Sequence, residues 1–372
     1  MTDPLLPAGP PADITHLIRE RTEARAGRDW PRADALKAQI EAAGWRVVDR
    51  GHRTSVSRAA PPSVDVDGEV RYGSAAAVPS LLDSPATTGW TVVVLASEEP
   101  ERASQLLAAL RIHAPAGTQV VVVANDPSES QAAALAPGAP DREPIAGVAP
   151  EVLRTSTRLG YAAALNIAFR RCAGELVLLA DATARPIGDA LTQLAEALGD
   201  ATIASAGGFG LASAEPGPLR PAALERMDEV PGPAGAAVAE ATALEGAWLA
   251  FRRSDYIELG PLDEHFVTPS WLDVWWTLRL RAGAEPAGSE YVEPTGGGEG
   301  DATVQAAGAD EPVTTEGDKG APHLDFPAPR RAVRAELPLE RDETAWPPDR
   351  SRLSRRNMYR VLDRYGWHDD LT

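Results

Sequence analysis

The sequence contains a single cysteine, Cys172, among 372 residues, so it can form no internal disulfide and no paired-cysteine metal site. It also lacks a basic amino-terminal region followed by an apolar core. No window approaches the roughly 18–20 uninterrupted apolar residues that a membrane span needs. These absences are typical of proteins from a reducing compartment. We therefore expect a cytoplasmic protein without a transmembrane segment.

Positive charge is also scarce. The 36 lysines and arginines are outnumbered by 54 aspartates and glutamates, which gives a formal net charge of -18. Such a balance disfavours general electrostatic attraction to nucleic acid or anionic lipid. We expect no nucleic-acid partner, although a local basic face remains compatible with this composition.

The chain is long enough for one large domain with appendages or for two domains, since domains cluster near ~100–200 residues. Its patterns predict a helical hairpin module at 1–57, a linker at 58–87, an α/β domain at 88–285, a disordered insert at 286–329 and a C-terminal segment with a basic helix at 330–372. The insert is dense in Gly, Glu, Ala and Pro. It therefore has too little apolar surface to offset its ordering entropy.

The hairpin is predicted from two helical runs, ITHLIRERTEARA and PRADALKAQIEAAG, separated at 27–31. Pro31 suits a first helical position, and Gly44 suits a helix end. The segment WRVVDR follows as a short strand. The linker at 58–87 is predicted from its richness in Pro, Ser, Ala and Gly.

From Trp90 onward, short apolar strands alternate with helices. TVVVLAS, QVVVVA and ELVLLAD are apolar without alternation, which is typical of strands buried on both faces. Such strands interleaved with helices predict an α/β fold with a parallel sheet. In such a sheet the ligand site lies at the carboxyl ends of the strands. The polar residues that follow three of these ends are Ser97, Glu99, Asn125, Asp126 and Asp181.

Several segments, in this order, resemble family 2 glycosyltransferases of the GT-A fold: TVVVLASEEPERASQLLAAL, VVVANDPSES, LGYAAALNIAFRRCAGELVLLADATARP, LEGAWLAFRRSDYIELGPLDEHF and LDVWWTLRLRAG. The resemblance covers about 90–283 and resumes in the C-terminal segment. It implies a Rossmann-like, mostly parallel sheet flanked by helices. It also implies transfer of a sugar from a nucleotide-sugar donor to a glycan or lipid-linked acceptor.

The resemblance assigns donor-side roles to several residues. Asp181 matches the first acid of an Asp-x-Asp metal motif that would hold Mg or Mn, but Thr183 replaces the second acid. The segment Glu336–Trp346 lacks the His that family members often supply, so a divalent cation is expected to be weakly bound or absent. The remaining donor-binding positions are Ser97, Glu99, Asn125, Asp126 and Asn166.

On the acceptor side, Asp273 matches the general base of an inverting transfer, and Leu272 replaces the acid that usually precedes it. The positions that match acceptor-binding residues are Glu245, Gly246, Asp263 and Glu264. Trp275 is a candidate for stacking on a sugar face, with packing in the core as the alternative.

Each acid also has a structural interpretation. Asp181 can close a strand-end turn, and Asn125–Asp126 can form an Asx-turn before Pro127. Asp273 can simply stabilise the first turn of its helix. The residues alone leave these alternatives open.

The sequence thus predicts a glycosyltransferase, inverting if active, with polysaccharide or envelope glycan synthesis as the usual setting of the family. One alternative is a catalytically degenerate domain that acts as a binding or scaffold protein. Another is an RNA-associated protein, because the run RDWPRADALKAQIEAAGW is similar to the C-terminal helical module of cysteinyl-tRNA synthetases. Acidic residues interleaved with the arginines of this module favour an ordinary solvated helix face.

Overall fold

The computed structural model describes residues 10–50, 53–96, 100–213, 224, 227–233, 237–283, 330–342 and 352–365. The insert predicted at 286–329 lies outside these residues, and so do Ser97 and Glu99. The described part comprises a small amino-terminal module and a larger α/β domain.

The amino-terminal module contains α1 (Ala12–Ala26), α2 (Trp30–Ala42), β1 (Trp45–Arg50) and β2 (Arg53–Arg58). The carboxylate of Asp29 accepts a hydrogen bond from the main-chain N–H of Arg32, which caps α2 and explains the break between the helices. Ile14, Ile40 and Trp45 are buried together in the small core of this module. The structure contains the predicted helical hairpin and adds a strand, β2, that pairs antiparallel with β1.

The first half of the α/β domain contains β3 (Val64–Val66), β4 (Glu69–Tyr72), β5 (Thr88–Ala96), α3 (Pro100–His113), β6 (Gln119–Ala124), α4 (Glu129–Ala134), β7 (Glu151–Thr155), α5 (Tyr161–Phe169) and β8 (Gly174–Ala180). The second half contains β9 (Ala184–Pro186), α6 (Ala190–Leu198), β10 (Ile203–Gly207), β11 (Gly210–Ser213), β12 (Met227–Glu229), β13 (Val238–Ala241), β14 (Ala243–Leu244), β15 (Trp248–Arg252), α7 (Arg253–Leu259), α8 (Leu272–Ala282), β16 (Arg331–Ala335), β17 (Leu339–Arg341) and α9 (Arg352–Tyr365). Ten of these strands form one sheet, in the order β13-β16-β10-β15-β8-β5-β6-β7-β4-β3.

The central strands of this sheet are parallel. β8, β5, β6, β7 and β4 all run in the same direction, whereas β15 pairs antiparallel with both β8 and β10. The predicted α/β class, with a mostly parallel sheet flanked by helices, is confirmed.

The apolar strands are buried on both faces, as their composition predicts. Val92 and Val94 of β5 pack into the core on one side of the sheet, under α3 and α6. Val93 packs into the core on the other side, with α5 and α8. Burial on both faces explains why the sequences of these strands are continuously apolar.

The prediction of a linker at 58–87 needs correction. The segment contains β3 and β4, and β4 pairs parallel with β7, so it extends the edge of the central sheet. The side chains of β3 and β4 are half-buried or exposed, without the regular alternation of a strand that is buried on one face. The segment therefore has the sequence pattern of a linker. An edge strand gains its stability from the ladder, which a sequence pattern does not show.

The C-terminal segment completes the domain. β16 pairs parallel with β10, and β17 pairs antiparallel with β9. The helix α9, which occupies the predicted basic run, packs beside α8, where the Trp271 indole N–H donates to the Ser354 hydroxyl at 3.0 Å. Among the described residues, no helix combines the length and the apolar character needed to cross a bilayer.

Candidate functional site

Two acidic side chains line one pocket at the carboxyl end of the central sheet. Asp181 directly follows β8, and Asp273 lies in the first turn of α8. Most of the other lining side chains are apolar and come from α5, β8, β15 and α8. The enclosed part measures about 20 Å³, enough for one water molecule. The pocket therefore forms a narrow, mostly apolar floor beside the two carboxylates.

The position of Asp273 is fixed by main-chain hydrogen bonds. Trp271 adopts a left-handed conformation (φ 69°) at the residue before α8, which turns the chain into the helix. The Gly246 N–H donates to Asp273 Oδ2 at 2.9 Å, and the Val274 N–H donates to Oδ1 at 2.8 Å. Each carboxylate oxygen keeps a second lone pair that can accept a proton.

Burial raises the pKa of Asp273 from its ordinary value of 3.8 to about 6. The hydrogen bonds from Gly246 and Val274 lower this pKa, and the nearby charge of Glu245 raises it. Desolvation disfavours the charged carboxylate, and it outweighs the main-chain donors. Asp273 is therefore mostly ionised at neutral pH and is a stronger base than an exposed aspartate.

Asp181 closes a turn at the end of β8. Its main-chain N–H donates to the Ala247 carbonyl at 2.8 Å, and its Oδ1 accepts from the Thr183 N–H at 2.8 Å. This is the Asx-turn that the structural interpretation expected. The same side chain lines the pocket, so the turn orients Asp181 without removing it from the candidate site.

Tyr161 is a pocket residue that the sequence did not identify. It is the first residue of α5 and lines the pocket with both carboxylates. Burial raises the pKa of its hydroxyl well above the ordinary value of 10.0, and the charges of Asp181 and Asp273 raise it further. The only feature of the sequence that could have indicated Tyr161 is its position at the start of a helix near the strand ends.

Asn125 and Asp126 lie where the sequence predicts, after β6. The Asn125 amide and the Asp126 N–H, however, form hydrogen bonds with neighbouring segments of the protein. Asn125 Nδ2 donates to the Leu159 carbonyl at 3.0 Å, and Asn125 Oδ1 accepts from the Leu159 N–H at 2.9 Å. Asp126 has a positive φ of 54°, and its N–H donates to the Thr155 hydroxyl. The Asn125 amide thus ties the end of β6 to the loop before α5, and the Asp126 carboxylate remains the candidate for base contact.

Asn166 does not lie in the candidate site. It is 1% exposed and makes four hydrogen bonds within the protein. Its Nδ2 donates to the Leu262 carbonyl and to Glu264 Oε1, and its Oδ1 accepts from the Leu262 N–H and the Tyr256 hydroxyl. These bonds use the full capacity of the amide. No group remains for a nucleotide, so we remove Asn166 from the donor-binding set.

Glu264 and Asp263 lie in the loop that follows α7. Glu264 is exposed apart from its bond to Asn166, whereas Asp263 accepts hydrogen bonds from the main-chain N–H and the imidazole of His265. Burial acts to raise the pKa of Asp263, but these bonds outweigh it and hold the pKa below its ordinary value. Both acids therefore organise the loop, and neither of them lines the pocket.

Trp275 packs in the core, the alternative that the sequence left open. It is 4% exposed, lies 5.6 Å from the Phe266 ring and is covered by the Arg279 guanidinium at 5.1 Å. No sugar can reach its face in this arrangement. Trp276, the next residue, lines the pocket, and its buried indole N–H has no partner among the residues that the structure describes.

Glu245 forms a partly buried ion pair that the sequence did not predict. Arg341 Nη2 lies 2.6 Å from Glu245 Oε2, and the Arg341 guanidinium stacks over Phe209 at 4.4 Å. Burial raises the pKa of Glu245, and the charge of Arg341 opposes that effect. Gly246, the next residue, donates to Asp273, so the pair lies beside the pocket.

The described residues do not fit a divalent cation. Across the described ranges, no three His, Cys, Asp or Glu side chains cluster closely enough to hold a metal ion. One Asp181 oxygen serves the Asx-turn, and the neutral Thr183 stands at the second acid position. Hard cations need several oxygen ligands, and carboxylates supply most of them in proteins.

Comparison with known proteins agrees with the sequence motifs. Residues 91–256 match the family model described as Glycosyl transferase family 2. This match confirms the predicted resemblance over that range. It leaves the similarity of the amino-terminal module to cysteinyl-tRNA synthetases as a prediction. A search of curated proteins found no significant match.

Solved structures similar to this chain include a mannosyltransferase, PcManGT from Pyrobaculum calidifontis, in complex with GDP-Man and Mn2+ (22% identity, 55% of each chain, TM-score 0.40). Another is GalNAc-T7 with UDP, GalNAc and Mn2+ (13% identity, 75% of this chain and 48% of that one, TM-score 0.46). A third is S. aureus TarS 1-349 in complex with UDP (17% identity, 52% of this chain and 55% of that one, TM-score 0.38). The matches span about half the length of the first two proteins.

Proposed function

We propose, on the premise that residues 91–256 form a family 2 glycosyltransferase domain, that this protein transfers a sugar from a nucleotide-sugar donor to an acceptor hydroxyl. The observation that carries the proposal is the pocket shared by Asp181 and Asp273. One acid follows a central strand and the other begins a helix. They supply polar groups in a floor that is otherwise apolar.

Asp273 acts as the general base in this proposal. The acceptor hydroxyl oxygen attacks the anomeric carbon of the donor while its proton passes to an Asp273 oxygen. The bond between the anomeric carbon and the phosphate oxygen breaks, and the nucleoside diphosphate leaves with both bonding electrons. A single displacement of this kind inverts the anomeric centre. A pKa of about 6 suits a base that works near neutral pH.

The donor lies along the carboxyl ends of the parallel strands, where α/β sheets bind ligands. Asp126 and Asp181 follow the ends of β6 and β8 at this edge, and Ser97 and Glu99 remain predicted contacts with the nucleoside. The Asp181 carboxylate is held by the Thr183 N–H, so it is oriented before any ligand arrives. An oriented acceptor group suits a hydrogen bond from a ribose or sugar hydroxyl.

The acceptor enters over Gly246 and the loop that carries Asp263. We propose a glycan or lipid-linked acceptor, made for polysaccharide or envelope glycans, as the family resemblance implies. We place the protein in the cytoplasm, where nucleotide sugars are made. The apolar pocket floor suits the carbon face of a sugar ring better than a charged acceptor.

A degenerate binding or scaffold protein is the second candidate, and Thr183 at the metal-motif position favours it. It predicts donor binding without turnover. The RNA-associated alternative has less support, because two arginines of the hairpin are used internally. Arg21 and Arg25 both pair with Asp49, at 2.5 and 3.0 Å.

The first experiment is calorimetric titration of UDP, GDP and dTDP, followed by a transfer assay with the corresponding nucleotide sugars. Active enzyme releases the nucleoside diphosphate faster when an acceptor glycan is added. Asp273→Asn should keep nucleotide affinity and lose turnover by at least about 100-fold, as expected for loss of a general base. Nucleotide binding without any turnover would support the scaffold alternative. No nucleotide binding would contradict both candidates.

A further inference from the structure

The strand β17 brings Arg341 next to the turn that replaces the metal motif. β17 pairs antiparallel with β9, and Arg341 lies opposite Ala184. The Asp342 N–H donates to the Thr183 carbonyl at 2.8 Å. Arg341 thus begins one residue away from Thr183, the position at which a second acid is missing.

The Arg341 guanidinium is held in place on two sides. Phe209 covers its face, and Glu245 binds one of its terminal nitrogens. Its side chain is 21% exposed, so the group is neither sealed in the core nor free in solvent. An arginine has five N–H donors in a rigid fork. Among the described residues, Glu245 is the only hydrogen-bond acceptor that Arg341 engages through its side chain.

The charge of the neighbouring residues also matters. An aspartate at position 183 would lie beside Arg341. Its negative charge would compete with an anionic ligand for the guanidinium. Threonine is neutral, and its hydroxyl is buried without a partner in the described part of the chain. The turn therefore carries one acid, Asp181, together with one cation nearby. Without a metal ion, this combination repels an anionic ligand less than two acids would.

We propose that Arg341 binds the diphosphate of the nucleotide sugar and supplies the positive charge that a divalent cation would otherwise supply. This inference rests on the proposed function, since it concerns the donor of the same site. The guanidinium fork matches phosphate oxygens bidentately, and such charge-assisted bonds are among the stronger ones in proteins. As the bond to the anomeric carbon breaks, negative charge grows on the leaving diphosphate, and Arg341 stabilises that charge.

The test compares binding of UDP, GDP and dTDP in EDTA with binding in Mn2+. Because removing Arg341 alone would leave Glu245 charged and buried, the main variant is the double substitution Arg341→Met with Glu245→Gln. Glu245→Gln alone keeps the cation and is the matched control. Arg331→Met removes a cation of the same C-terminal segment whose partner is the exposed Asp200.

We expect the wild type to bind one of these nucleotides equally well in EDTA and in Mn2+. The double variant should lose about 10- to 100-fold in affinity for that diphosphate but not for the corresponding nucleoside, as expected for charged hydrogen bonds. Glu245→Gln and Arg331→Met should bind the diphosphate with wild-type affinity or better.

The opposite outcome is also clear. Binding that requires Mn2+ and survives in the double variant would overturn the role of Arg341 and leave the transferase function standing. Failure of the wild type to bind any of the three nucleotides, with or without Mn2+, would overturn both. Thermal unfolding of each variant checks that a loss of affinity does not come from a loss of structure.

Discussion

Replacing Asp273 by asparagine should abolish the loss of stability that this carboxyl causes between pH 5 and pH 8, while it removes the proposed base. The substitution keeps the size and shape of the side chain and removes its ionisation. In the wild type, burial places the folded-state pKa at about 6, roughly two pH units above the ordinary value of 3.8. A raised carboxyl pKa means that the folded state binds its proton more tightly than the unfolded state does.

The sign and size follow from that difference. The contribution of Asp273 to stability is fully present below pH 3.8 and is lost as the pH rises through 6. One pH unit corresponds to about 1.4 kcal/mol, so the whole loss is about 3 kcal/mol. Between pH 5 and pH 8 the linkage relation gives a loss of about 1.5 kcal/mol. Asparagine does not titrate, so the variant avoids this loss.

The assay is urea unfolding of both proteins at pH 5 and pH 8. Asparagine places an N–H₂ group near the N–H of Gly246 or Val274, which costs free energy at every pH and cancels when the two pH values are compared. The variant should gain about 1.5 kcal/mol relative to wild type on going from pH 5 to pH 8. Asp200→Asn is the control, because hydrogen bonds from Thr202 lower the pKa of Asp200 and its protonation ends below this window. An equal difference at both pH values would refute a raised pKa for Asp273.

Three further predictions concern the same domain. Asn166→Ala should lower the free energy of unfolding by about 2–4 kcal/mol in urea titrations, because it removes the partner of three buried groups, the Leu262 carbonyl, the Leu262 N–H and the Tyr256 hydroxyl. Gly174→Ala should prevent normal folding, visible as loss of the cooperative thermal transition, because a Cβ there would lie 2.4 Å from the main-chain N of Thr91. Thr183→Asp should make nucleotide binding respond to Mn2+ in calorimetry, since it restores the second oxygen ligand. An unchanged response to Mn2+ would show that the two acids alone do not form a metal site.

The strands of the central sheet could be predicted because their composition reports burial directly. β5 and β6 are continuous runs of valine, and burial on both faces is the physical condition that permits such runs. Asp273 is assigned only through the family resemblance, but Asp181 could be placed at the carboxyl edge of the sheet for a related reason. Strand ends and helix starts occur at recognisable positions, and parallel strands gather their ends at one edge.

Other residues could not be assigned because sequence does not report which partners they meet. Asn166 and the loop at 262–264 are separated by almost 100 residues, yet the loop and Tyr256 together satisfy the amide completely. Trp275 and Trp276 are adjacent on one helix, and only the packing of α8 decides which of them faces the pocket. Arg341 lies far along the chain from β9, so its position depends on a pairing of strands that no local pattern encodes.

The contacts from Arg341 to Asp273 would link donor binding to the strength of the base in the proposed mechanism. Arg341 pairs with Glu245, and the charge of Glu245 raises the pKa of Asp273. A diphosphate that shares the guanidinium would leave the charge of Glu245 less compensated and would add negative charge of its own. Both effects raise the pKa of Asp273 further, because like charges favour its protonated form. In the proposed mechanism Asp273 should therefore become a stronger base when the donor binds and a weaker base again when the diphosphate leaves.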